Sequence, residues 1–88
     1  MSDDARLEEF PGEYTFKIFG RRSDTFAERV RTIVAATFGQ VSAEAVRVRE
    51  SSAGRYVSVT IVLWVEDRAQ LERVYTDLRA EPEVLLYN

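Results

Sequence analysis

Neither cysteine nor histidine occurs among the 88 residues. The first absence excludes disulfides and thiolate nucleophiles, and the two together exclude cysteine–histidine zinc sites. The lack of histidine also removes the commonest general base. Lysine occurs once, as Lys17, so catalysis would have to rest on carboxylates, hydroxyls, tyrosines or that one amine. On this basis no catalytic residue, cofactor or metal site is expected, and the chain reads as a non-enzymatic domain. No apolar run approaches the roughly 20 residues of a membrane-spanning helix. The N-terminus is acidic, unlike a signal peptide, and the expectation is a cytoplasmic protein with no membrane partner.

The net charge of −3 is unevenly spread. Residues 1–13 hold Asp3, Asp4, Glu8, Glu9 and Glu13 against Arg6, which is −4; the rest is then +1. The acidity therefore belongs to the start of the chain. Residues 1–9 read as a flexible acidic tail and residues 10–88 as one domain. A domain this short buries a modest core, and self-association is a common supplement at that size.

The stretch from Val46 to Val65 carries the strongest pattern. Val57, Val59, Ile61, Leu63 and Val65 recur at every second position, which places them on one face of a strand. Tyr56, Ser58, Thr60, Val62 and Trp64 share the other, wetter face. Val46 and Val48 alternate with Arg47 and Arg49 in a shorter strand. Ser51-Ser52-Ala53-Gly54 between them is a turn cluster. A four-residue loop would set Glu50 opposite Arg55, Val48 opposite Val57 and Val46 opposite Val59. Arg49 then faces Tyr56 and Arg47 faces Ser58. A slip of one residue would turn the valines to the wet side.

Upstream, Tyr14 to Phe19 reads as a first strand, ended by Gly20, with Arg21-Arg22 as a loop. Ser23 or Asp24 is the expected cap of a helix running to about Phe38. Phe26, Val30, Ile33, Val34 and Thr37 lie on its inner face, with Arg31 largely away from it. Gly39 stops it. Asp67 followed by Gln70 is a capping-box pattern. The helix it opens turns Leu71, Val74, Tyr75 and Leu78 inward and ends before Pro82. Val84 to Tyr87 is a short last strand. The order β-α-β-β-α-β with right-handed crossovers predicts an α+β fold: a ferredoxin-like two-layer sandwich, antiparallel sheet order 4-1-3-2, both helices on one face.

Phe10-Pro11 followed by Tyr14-Thr15-Phe16-Lys17-Ile18 and Gly20 resembles the opening of the YbeD-like family, small bacterial proteins of unknown function. The run from Ser51 to Thr60 is similar to that family's hairpin, and Tyr75 with Leu78 to its second helix. Val74 stands where the family has a leucine, a conservative packing change. The resemblance implies a ferredoxin-like fold akin to ACT-type regulatory domains, and it brings no catalytic residues.

The open sheet face is the first candidate interaction surface: Lys17, Phe19, Arg47, Arg49, Tyr56, Ser58 and Trp64, with Thr15 and Thr60 among them. Basic residues interleaved with aromatics can hold single-stranded nucleic acid. A body charge of +1 is weak for that, and the aromatic octamer of RNA-recognition sheets is missing, so a nucleic-acid partner is not the leading expectation. The leading expectation is a protein-interaction or regulatory module. A small-molecule ligand is an alternative, and a homodimer through a contiguous aromatic patch is another. The tail around Leu7 and Phe10 is the other candidate cover. Two weaker anion candidates are the Ser51–Gly54 turn with Arg55, and Arg21-Arg22 before the first helix. A plain turn and a solvated loop explain both as well.

Overall fold

A computed structural model describes residues 10–51 and 53–88; the expected tail, residues 1–9, lies outside the described residues. The elements are β1 (Gly12–Arg21), α1 (Phe26–Phe38), a 3₁₀ turn (Ala43–Ala45), β2 (Val46–Glu50), β3 (Tyr56–Val65), α2 (Arg68–Arg79) and β4 (Val84–Tyr87). The four strands form one antiparallel sheet in the order β2-β3-β1-β4. The expected strand order is the observed one. Among the described residues no helix is long and apolar enough to cross a membrane.

Alternation builds the sheet. Phe16 lies opposite Ile61 and Ile18 opposite Val59 across β1 and β3. All four are buried in one core with Phe26, Val30 and Val34 of α1 and Leu71, Val74 and Leu78 of α2. Both helices therefore cover the same sheet face. The next residues along β1, Lys17 and Phe19, point away from it and are exposed.

The hairpin keeps the expected faces but not the expected register. Glu50 pairs with Val57, Val48 with Val59, Val46 with Ile61, Arg49 with Ser58 and Arg47 with Thr60. The pairing is displaced by two residues, which leaves every side chain on its face. The turn decides the register. Ser51 N–H donates to the Tyr56 carbonyl at 2.9 Å, and Ser51 Oγ accepts from Tyr56 N–H at 3.3 Å. Gly54, at φ 73°, donates to the Ser51 carbonyl at 2.9 Å.

Two other expectations need correction. β1 runs through Gly20 to Arg21, so Gly20 does not end the strand. It is buried under Phe26 of α1, where a side chain has no room. The α1 cap is Thr25, which makes no side-chain cap bond; Ser23 Oγ instead accepts from the Thr25 N–H at 3.3 Å. Arg31, off the inner face as expected, is half-buried. Its guanidinium donates two bonds, of 3.0 and 2.7 Å, to the Val41 carbonyl. That clamp anchors the segment after α1 and seats Val41 in the core.

The second helix starts as the sequence predicts. Asp67 Oδ1 accepts from Gln70 N–H at 3.0 Å, and Gln70 Oε1 accepts from Glu66 N–H at 2.7 Å. Asp67→Ala is expected to lower stability by about 1 kcal/mol, as loss of a cap does. Glu72→Ala removes only an exposed pair with Arg68 at 3.5 Å and should cost under about 0.5 kcal/mol. Urea unfolding of both variants checks the ordering; equal midpoints would refute the cap.

Candidate interaction surface

The open face of the sheet presents its side chains in cross-strand rows. One row is Arg47, Thr60 and Lys17. The next is Arg49, Ser58, Phe19 and Leu86, one residue from each strand. The third pairs Tyr56 with Arg21. Four cations and two rings thus gather at the hairpin end of the sheet. Phe19, Arg49, Ser58 and Tyr56 line a hollow of about 340 Å³, together with Glu50, Ser51 and Val57.

Charge sets the character of this end. Lys17, Arg21, Arg47 and Arg49 make no ion pair or side-chain hydrogen bond with any described residue. The acid nearest them in sequence, Glu50, is taken: its Oε2 accepts from Arg22 Nε at 2.8 Å, a bond that raises the Arg22 pKa above its ordinary value. Among the described residues the one carboxylate on the open face of the strands is Glu13, at the far end opposite Trp64.

Trp64 does not join the cluster. It lies six residues along β3 from Ser58, about 20 Å at the rise of a strand, and is 58% exposed. The expected contiguous aromatic patch is therefore two separate sites. Sequence reasoning also missed Leu86, which is 64% exposed beside Phe19. A register shift between Phe19 and Gly20 brings Leu86 opposite Phe19 and sets Val84, not Leu85, opposite Gly20. No alternation in Val84-Leu85-Leu86-Tyr87 announces that shift.

Phe10 is committed to the other side. Its ring stacks on Tyr14 at 5.2 Å, against the core, so it does not cover the open face. Tyr75 is equally structural. It stacks on Tyr87 at 5.5 Å and meets Phe16 edge-on at 5.9 Å. Burial raises its pKa, with smaller contributions from Tyr87 and Tyr14, so the phenol stays protonated at neutral pH.

Each of the two anion candidates has part of its donor set taken. In the turn, the Ser51 and Gly54 N–H groups serve the hairpin itself, and Ser52 lies outside the described residues. Before α1, Arg22 is held by Glu50, and its N–H bonds the Arg55 carbonyl at 2.9 Å.

Residues 5–87 match the model of a family described as "Protein of unknown function (DUF493)". The chain belongs to this family. A UPF0250 protein of Paraburkholderia phytofirmans is 36% identical over 78 residues, which is 89% of this chain and 88% of that one. A UPF0250 protein of Chromobacterium violaceum is 34% identical over 85 residues, 96% of each chain. One from Shewanella piezotolerans is 41% identical over 73 residues, covering 82% and 80%. The YbeD-like resemblance pointed to this same DUF493 family. The family description attaches no activity to the rows of cations and rings on the open face.

Proposed function

We propose that this DUF493 protein is a non-catalytic cytoplasmic docking domain with a ferredoxin-like, ACT-like sandwich. Its working surface is the hairpin end of the open sheet face, and its partner is an acidic polypeptide carrying apolar side chains. One observation carries the reading. Lys17, Arg21, Arg47 and Arg49 flank Phe19 and Tyr56 with no acid among them and no partner within the described residues. Rings and arginines of this kind anchor protein interfaces, and unpaired cations steer an acidic partner. A second copy suits the surface less well, because two such faces bring like charges together.

The hollow beside Arg49 supports a second reading, a small carboxylate ligand seated between Phe19 and Tyr56. The two readings separate by experiment. Crosslinking in the source cytoplasm, followed by purification of what is recovered, should yield an acidic protein. Lys17→Glu with Arg49→Glu should weaken its binding by about tenfold or more. Recovery of nucleic acid, or equal binding by the double variant, would reject the docking surface. A melting shift with a small carboxylate in place of any protein would favour the second reading.

A further inference from the structure

β2 is an edge strand, paired on one side with β3 and on the other with nothing among the described residues. The hydrogen bond between Ser51 and Tyr56 sets the phase of the ladder. Bonded and non-bonded pairs alternate in antiparallel strands. Arg49 and Arg47 therefore turn their backbone groups toward β3, while Val46, Val48 and Glu50 turn theirs outward. The 3₁₀ turn takes the Val46 N–H, which donates to the Ala43 carbonyl. The N–H and carbonyl groups of Val48 and Glu50 remain open. Val48 itself is 50% exposed on the helix side, beyond the cover of both helices.

Exposed edges usually carry a device against unwanted pairing, and here it is the two arginines. A second β2, placed antiparallel about a two-fold axis normal to the sheet, keeps its faces matched. Arg47 then meets Arg49 when the axis passes Val48. It meets its own copy when the axis passes Arg47, as Arg49 does at Arg49. Like charges directly opposite destabilise a pair of strands. The same arginines welcome a strand of opposite charge.

We propose that β2 accepts an extended segment of another protein as a fifth strand, with the pattern acid–apolar–acid. The two acids face Arg47 and Arg49 on the open side of the sheet. The apolar residue faces Val48 and covers it. Main-chain bonds to Val48 and Glu50 provide affinity, and the alternate side chains provide selection. Residues 1–9 contain no acid–apolar–acid triplet, so the chain's own start does not fit the pattern. This inference rests on the reading of the open face as a polypeptide-docking surface, and it names how the polypeptide binds.

Isotope-labelled full-length protein titrated with a short Glu-Val-Glu-centred peptide tests it. Hydrogen exchange should slow at the Val48 and Glu50 amides and stay unchanged at Arg47 and Arg49. Arg47→Glu with Arg49→Glu should lose the acidic peptide by about tenfold or more and gain a Lys-Val-Lys peptide. Val48→Pro removes the outward N–H without touching the bonds to β3 and should abolish binding. Equal binding of a Ser-Val-Ser peptide would overturn the charge selection. Slowing at Val48 with protein concentration alone would make a second copy the occupant and overturn the proposal. No binding of the acidic peptide would overturn it as well, while leaving crosslinking to judge the open face. Peptide binding that survives Val48→Pro and shifts Phe19 and Ser58 would reject the edge and keep the face as the docking surface.

Discussion

Gly20→Ala is expected to cost about 3 kcal/mol or more, the upper end of overpacking, and Gly20→Val to prevent folding. A Cβ at Gly20 would stand 2.3 Å from Cε1 and 2.4 Å from Cζ of Phe26, and 2.7 Å from the Glu83 carbonyl oxygen. Real carbon atoms do not approach so closely, so something must move. Phe26 is fully buried at the start of α1 within the core cluster, so a shift of its ring disturbs the core. Glu83 is backbone, beside the register shift that joins β4 to β1. The strain thus reaches both α1 and β4. Such a loss is a large share of the roughly 5–15 kcal/mol that holds a small domain together. Urea unfolding followed by circular dichroism measures it. Phe26→Leu in the Gly20→Ala background should recover part of the loss, because it relieves the ring and leaves the carbonyl. A native unfolding midpoint for Gly20→Ala would reject the close approach.

Gly20 also shows where sequence reading stops. A glycine after an alternating run signals a strand end, and a close crossing of helix and strand leaves the same residue. Sequence cannot separate the two, because the obstacle is Phe26, brought there by the fold. The hairpin makes a similar point. A period of two assigned Val57, Val59 and Ile61 to the core and Arg47 and Arg49 to the open face. It is blind to a shift of two residues, which moves no side chain across the sheet. Ser51 Oγ and the positive φ of Gly54 choose the actual pairing. Strand periodicity also says which residues share a face, not how far apart they lie. That is why Trp64 belonged on the open face yet not in the cluster around Tyr56. Helix ends were legible where a side chain did the capping, as at Asp67. At α1 the expected caps were Ser23 and Asp24, and the backbone instead took Thr25, whose side chain caps nothing.

Neighbouring residues on opposite faces give the sharpest test of the layer assignment. Phe16→Ala is expected to cost about 3–5 kcal/mol, the range for deleting a buried phenylalanine. Phe16 is fully buried at the centre of the sheet, opposite Ile61. Its ring meets Tyr75 of α2 at 5.9 Å and Phe38 of α1 at 6.4 Å. Removing it opens a cavity that both helices border, and two aromatic contacts are lost with it. Ile61→Ala, across the same pair, should cost about 2–5 kcal/mol. Lys17→Ala, one residue from Phe16, should cost under about 0.5 kcal/mol, because its side chain is exposed and unpaired. Thermal or urea unfolding of the three variants measures all these values. If Lys17→Ala cost as much as Phe16→Ala, a packed layer would lie over Lys17. Arg47 and Arg49 would then be covered as well, and no polypeptide could dock on that side of the sheet.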